Sequence, residues 1–239
     1  MPNKSVAKPK APRKPKKLSL TFTEANSTPN LINLGVSVKN EIQQMKLNST
    51  LISGYAVNDL KSLQRLVIAH ASKHDIPLYG IDNTEDLREY DKSEFVKKTR
   101  TLEGSLSLLE EVDSLMAGRK GSDDHSPIFV YITGLFVFAT LSKEARKLVN
   151  DLIINGPALG VYVFGEAHMG SIAKADKDVI QDFNKSFENK IIVGRILYNE
   201  IAALLPSYAT SAYSHLEKNG SMLFFDEVYQ QFMVFSTRK

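Results

Sequence analysis

The sequence predicts an α/β fold, a parallel β-sheet flanked by helices on both faces with a hairpin added at one edge near the C-terminus. Three observations predict it. Strand-sized and helix-sized segments alternate from residue 50 onward. The strongest strand, 128–132 (IFVYI), has no polar alternation, as expected of a strand covered on both faces. The last two apolar runs, 221–225 and 231–236, are separated only by residues 226–230 and read as an edge hairpin.

Taken in order, 18–22 (LSLTF) reads as a short strand, and 31–47 is mixed apolar and polar with Gly35 as a break. Residues 50–53 (TLIS) form a strand ending at Gly54. Leu60, Leu63, Leu66, Val67 and His70/Ala71 then recur at helical spacing, with Asn58 or Asp59 as the cap. A strand over 76–81 is closed by Asp82, and a long polar connection follows. The stretch 102–117 is an amphipathic helix with Leu102, Leu106, Leu109, Val112, Leu115 and Met116 on its inner face. A polar loop precedes the 128–132 strand. Helix 142–154 is started by Ser142 with Glu144 two residues on. Strand 161–164 (VYVF), a helix around 176–187, strand 190–196 and a short helix 199–205 lead into the final hairpin.

A chain of 239 residues is long enough to bury a full core. Its 43% hydrophobic content is ordinary for a globular protein. The longest apolar runs, such as 127–132 and 161–164, are strand-sized, well short of the roughly 18 residues a membrane-spanning helix needs. Proline and lysine follow the basic N-terminus where a secretory signal would place its apolar region. The absence of cysteine excludes disulfides and thiolate chemistry. Residues 1–17 carry Lys4, Lys8, Lys10, Arg13, Lys14, Lys16 and Lys17 with no acid, and subtracting these seven charges from the net +3 leaves −4 for 18–239. The basic excess therefore sits in a proline-interrupted segment that buries too little apolar surface to order itself. A solvated linker is the favoured reading of 1–17 over a nucleic-acid or anionic-lipid arm, because no aromatic residue is interleaved to stack on bases. The domain division is accordingly 1–17 as a tail or linker and 18–239 as the folded unit.

In an open parallel sheet, ligands sit beyond the carboxyl ends of the strands, and the first strand-to-helix turn is the usual phosphate site. Here that turn runs from Ser53 to Ser62. A phosphate loop reads G-x-x-x-x-G-K-[ST], with the second glycine for close backbone approach, the lysine for phosphate charge and the hydroxyl for magnesium. Aligned on Gly54, Asp59 stands for the second glycine, Leu60 for the lysine and Lys61 for the hydroxyl residue. A carboxylate at a helix N-terminus competes for the amides and dipole that a phosphate would use. The pair Lys61-Ser62 stands one residue late, with no glycine before it to permit the turn. The strand 128–132 should end in an acidic pair that holds magnesium and orients water. It ends instead in Thr133-Gly134-Leu135, and the next carboxylate is Glu144. Neither ATP nor magnesium is expected to bind well, and hydrolysis is not expected.

At this point the sequence resembles the FtsK/SpoIIIE-type P-loop ATPases, with a RecA-like fold. The likeness is greatest to the C-terminal, degenerate ATPase domains of the EssC family of type VII secretion coupling ATPases. The resemblance covers roughly 31–239. It rests on 51–54 (LISG) at the Walker A strand, 103–119 as the helix before Walker B, and 127–132 (PIFVYI) at Walker B. It rests further on 145–148 through 156–164, and on 191–206 with its LLP segment. The departures at Asp59, Leu60, Thr133 and Gly134 agree with a pseudo-ATPase. The resemblance implies a soluble module on the cytoplasmic side of the bacterial membrane, part of a membrane-anchored multi-ATPase chain and in contact with adjacent ATPase domains. It also implies, as partners, secreted WXG100-type helical-hairpin proteins, with a homo-oligomer possible in the full assembly. The alternative it leaves open is a nucleotide-binding motor domain or DNA-translocase-like fragment with residual activity. The acidic balance of 18–239 makes nucleic acid an unfavourable partner.

Other candidates carry less. His70 and His74 share a helix face at i, i+4 but lack a zincin glutamate and a third ligand, so an exposed helix end is expected and no metal site. Asp123-Asp124-His125 reads as a solvated loop. No G-x-S-x-G elbow surrounds Ser53. Arg195, on the 190–196 strand, is a candidate interface or finger arginine, with a surface salt bridge as the equal alternative. Phe224, Phe225, Tyr229, Phe232 and Phe235 are assigned mainly to core packing, with docking of a neighbour or peptide as the second reading.

Overall fold

A computed structural model describes residues 27–37, 39, 41–55, 57–168, 176–194, 197–219, 222–226 and 231–235. The expected 1–17 tail, the 18–22 strand, Arg195 and Tyr229 lie outside the described residues. Strands β1 (Leu31–Val36) and β2 (Ile42–Lys46) form an antiparallel hairpin with a register shift between Asn33 and Gly35. The chain then runs through β3 (Thr50–Gly54), α1 (Val57–Lys73), β4 (Leu78–Asp82), β5 (Val96–Thr99), α2 (Leu102–Gly118) and β6 (Ile128–Thr133). It continues through α3 (Leu135–Leu141), α4 (Lys143–Asn155), β7 (Val161–His168), α5 (Lys177–Ser186) and β8 (Asn189–Val193). The last elements are α6 (Tyr198–Leu204), α7 (Ala209–Asn219), β9 (Met222–Asp226) and β10 (Gln231–Phe235).

Among the described residues, eight strands make one sheet in the order β10-β9-β8-β3-β7-β6-β4-β5. The run from β8 to β5 is parallel, and β9 and β10 join antiparallel at one edge, as the sequence predicts. The pleat sends successive side chains to opposite faces. Leu51, Val130, Ile132 and Val163 enter a core with residues of α2 to α7, whereas Ile52, Phe129, Tyr131 and Phe164 enter a second core with α1 and the β1–β2 hairpin. That double burial is why the central strands read as unbroken apolar runs.

Several elements differ from the expectations, each for a physical reason. The 31–47 stretch is a hairpin whose second strand keeps a wet face, so its apolar signal was weak. The polar connection after β4 contains β5 (VKKT), an edge strand whose charged side chains hide it from apolar patterning. Helix α1 begins at Val57, so Asn58 and Asp59 lie inside its first turn rather than at its cap. On α2, Ser105 and Leu108 join Leu109, Val112 and Met116 in the core, while Leu102 and Leu115 are exposed. Strand β7 runs four residues beyond the expected end, and β8 stops at Val193. The caps of α2 and α4 are supplied by the hydroxyls of Thr101 and Ser142, which accept from the N–H groups of Gly104 (3.1 Å) and Ala145 (3.2 Å).

Candidate functional site

The turn after β3 opens at the carboxyl edge of the sheet, with β7 and β8 on either side. Gly54 pairs in register with His168 and Val193. A Cβ on Gly54 would lie 2.1 Å from Val193 Cγ2 and 2.8 Å from the Val193 carbonyl, so packing against β8 alone requires glycine here. Only two residues separate Gly54 from the first residue of α1. A G-x-x-x-x-G-K-[ST] loop holds four residues between its glycines, whose amides wrap the phosphates. In this chain the later positions of that motif are wound into helix. Asp59 occupies the first turn, and Leu60 is buried in the core on the α1 face. Lys61 lies 3.4 Å from the Asp86 carboxylate, and Ser62 Oγ donates to the Asn58 carbonyl at 2.8 Å. Each polar group of the late Lys-Ser pair therefore has a partner within the chain.

The turn is also tied laterally. His168 Nε2 donates to the Tyr55 carbonyl at 3.1 Å, and the two rings meet edge-on at 5.8 Å. The Tyr55 hydroxyl donates to the Glu200 carboxylate, which also accepts the Leu197 N–H at 3.0 Å. Around these contacts Tyr55, Val57, Leu197 and Tyr198 stand exposed.

At the end of β6, Thr133 is buried and bound to the turn that follows β4. Its carbonyl accepts from Asn83 Nδ2 at 2.8 Å, and its hydroxyl accepts the Thr84 N–H at 3.2 Å. Gly134 has φ 61°, and a Cβ there would meet Thr84 Cγ2 at 2.9 Å. The backbone geometry at that helix start thus explains the glycine.

Two carboxylates that linear reading did not assign to the site lie on the strands that flank β6. Asp82, at the end of β4, is buried and pairs with Arg100 Nε at 2.9 Å while accepting the Leu87 N–H at 3.2 Å. Glu166, on β7 between the strands that carry the two motif positions, is buried and accepts the Tyr131 hydroxyl at 2.9 Å. Burial, only partly offset by the tyrosine, pushes its carboxyl up to about 7. Burial, with Glu166 beside it, raises the Tyr131 hydroxyl well above its ordinary range. Only the sheet order brings β4, β6 and β7 side by side, so no spacing rule could have found this set.

The remaining candidates separate cleanly. His70 is buried rather than at an exposed helix end. Its ring lies parallel to Phe129 at 6.1 Å, its Nε2 is 3.3 Å from the Pro29 carbonyl, and burial lowers it to about 4. His74 Nε2 meets Ser27 Oγ at 3.1 Å, and among the described residues no group of three His, Asp or Glu is placed to hold a metal. Asp124 caps its own loop by accepting from Ser126 N–H and Oγ at 3.0 and 2.6 Å. Phe224, Phe225 and Phe235 are buried in the cores. Strand β8 ends at Val193, and Arg195 lies outside the described residues.

No protein-family profile and no curated protein sequence matches the chain. Solved structures do. ATPases 2 and 3 of Thermomonospora curvata EccC, in complex with a signal sequence peptide, align with TM-score 0.66 at 16% identity over 88% of this chain and 41% of that one. ATPases 2 and 3 of Geobacillus thermodenitrificans EssC align with TM-score 0.63 at 15% identity over 77% and 38%. The conjugation coupling protein TcpA of pCW3, in its monomer form with ATPγS, aligns with TM-score 0.69 at 16% identity over 94% and 71%. The fold is that of the P-loop ATPase domains of EccC, EssC and TcpA. At these identities the likeness establishes the ATPase fold, and the chain spans less than half the length of the EccC and EssC chains. Among the described residues of this ATPase-fold chain, no helix is long and apolar enough to cross a membrane.

Proposed function

We propose that this chain is a non-catalytic, ATPase-fold module of a type VII secretion ATPase that works through protein contacts. One observation carries the reading: α1 begins at Val57, so the positions that should cradle phosphate are helical, and Lys61 and Ser62 are engaged within the chain. Asp59 in the first turn opposes an anion at the same place. The exposed apolar residues Tyr55, Val57, Leu197 and Tyr198 stand where a nucleotide's surroundings would be, and a patch of that kind suits a protein partner. EccC ATPases 2 and 3, solved with a signal sequence peptide, and the cytoplasmic domain of EssC support this setting; the partners proposed for this chain are adjacent ATPase domains and a secreted helical-hairpin protein, on the cytoplasmic side of the membrane.

The test is a melting measurement with ATP and Mg²⁺, together with a pull-down of secreted helical-hairpin proteins. The melting temperature is expected to stay unchanged and no phosphate to be released. A nucleotide-dependent rise that Lys61→Ala abolishes would instead establish a rescued phosphate site and overturn the reading. TcpA was solved with ATPγS, which keeps a nucleotide-binding motor domain as the alternative. Turnover appearing only in the full assembly, and lost with Arg195→Ala, would favour that alternative.

A further inference from the structure

The chain contains two Asn-Gly pairs, Asn155–Gly156 and Asn219–Gly220. Such a pair is chemically labile, because the glycine nitrogen, screened by no side chain, can attack the asparagine amide carbon. Asn155–Gly156 lies at the joint where α4 meets β7. Asn155 is the exposed last residue of α4, and Gly156 after it is buried.

The fold demands the glycine of this pair. A Cβ on Gly156 would lie 2.2 Å from the Leu152 carbonyl oxygen and 2.6 Å from the Val161 carbonyl oxygen. No larger residue can stand there to screen the nitrogen. Protection comes instead from two hydrogen bonds. The Gly156 N–H donates to the Leu152 carbonyl at 3.0 Å, which keeps the nitrogen in the helical ladder. Asn155 Nδ2 donates to the Asp151 carboxylate at 2.7 Å, one turn back, which holds the amide on the helix surface. Both bonds must break before the Gly156 nitrogen reaches Asn155 Cγ. Both belong to the last turn of a helix, where opening is cheapest.

Beyond Gly156 the joint is tightly tied. Its carbonyl accepts the N–H groups of Leu159 at 2.8 Å and of Val161, the first residue of β7, at 2.9 Å. The Leu159 carbonyl in turn accepts from Arg119 Nη1 at 2.9 Å. The position of the β7 start therefore depends on where the Gly156 peptide unit sits.

We propose that Asn155 is a site of spontaneous deamidation, gated by opening of the α4 C-terminus, and that its isoaspartate product unlocks the start of β7. In the open form the Gly156 nitrogen, losing its proton to water, bonds to Asn155 Cγ, and the Cγ–Nδ2 bond breaks to release ammonia. Water then opens the cyclic imide. Attack at Cγ gives aspartate, whereas attack at the main-chain carbonyl gives isoaspartate, in which the chain runs through the former side chain. One water is consumed and one ammonia released, with no oxidant or cofactor. Isoaspartate adds a methylene to the backbone immediately before Gly156, so the bonds to Leu152, Leu159 and Val161 no longer fit together.

The experiment incubates the full chain at mildly alkaline pH, folded and in concentrated urea. The tryptic peptide 148–174 is then assayed for isoaspartate by enzymatic methylation and for the mass gain of amide-to-acid conversion. In urea Asn155 should react as fast as Asn219, which serves as the internal clock. In the folded chain it should react about tenfold or more slower than in urea. Asp151→Ala should speed the folded reaction about threefold and leave the urea rate unchanged. Aged protein should exchange the Leu159 and Val161 amides about tenfold faster than fresh protein. Asn155→Asp, which carries the charge without the methylene, should stay within about twofold of the parent in that exchange. Equal rates folded and in urea, or no product at Asn155 in urea, overturn the proposal. Indifference to Asp151→Ala overturns the part of that carboxylate in the gate. Exchange in aged protein that matches Asn155→Asp overturns the unlocking of β7.

Discussion

Glu166 concentrates the electrostatic problem of the sheet edge in one side chain. It is buried on the α1 face, held by Tyr131, and pushed up to about 7. A carboxyl raised in the folded state costs nothing below its unfolded value near 4.5, and the cost grows with pH until it levels off above the folded value. Glu166→Gln keeps an acceptor for Tyr131 without the charge. The variant is expected to match the parent at pH 4 and to be more stable by about 3 kcal/mol at pH 8, read by urea unfolding. A constant difference across that range would refute the assignment. Gly54 is a second residue-scale case, because its missing side chain is dictated by Val193. Gly54→Ala should destabilise by roughly 1–3 kcal/mol, with Val193→Ala restoring only part, since the carbonyl contact at 2.8 Å remains.

At the scale of the element, α1 decides what the turn after β3 can do. Restoring the motif letter with Leu60→Lys would place an ammonium at a position that is 2% exposed and packed into the core. We expect that variant to lose several kcal/mol in chemical denaturation and to gain no melting response to ATP, because the helix still begins too early to form a cradle. The sequence pattern made β3, β6, the core of β7 and the closing hairpin legible, since each is an apolar run of strand length. It left α3 invisible: LFVFATL is nearly all apolar over seven residues and offers no wet face from which to read a period. β5 and β2 were hidden for the opposite reason, having too little apolar surface. Within the site, the departures at Asp59, Leu60, Thr133 and Gly134 could be read directly. The Asp82–Arg100 pair, Glu166, and the Tyr55–Glu200 link arise only when strands and loops distant in sequence become neighbours.

Across the whole molecule, the two faces of the sheet are covered unequally. Helices α2 to α7 cover one face, while α1 and the β1–β2 hairpin cover the other. The hairpin is held partly through His70 of α1, whose Nε2 approaches the Pro29 carbonyl just before β1. Burial lowers His70 to about 4, so it is neutral when docked and takes up a proton when the hairpin lifts away. A base lowered in the folded state contributes stability that is present above its unfolded value near 6.5 and is lost as pH falls toward 4. At pH 5 that loss amounts to about 2 kcal/mol, enough to raise the open population some thirtyfold. The Pro29 carbonyl pulls the other way but does not outweigh burial, and His74 and Lys73 add to the lowering by repulsion. Hydrogen exchange should therefore find the amides of β1 and β2 opening before those of β6 and β7, with the gap widening from pH 7 to pH 5. His70→Gln keeps a donor for Pro29 but cannot take the proton, so its gap should not change with pH. If the parent's hairpin exchanges at the same relative rate at both values, the layer on that face is held by apolar contact alone and His70 has no part in its docking.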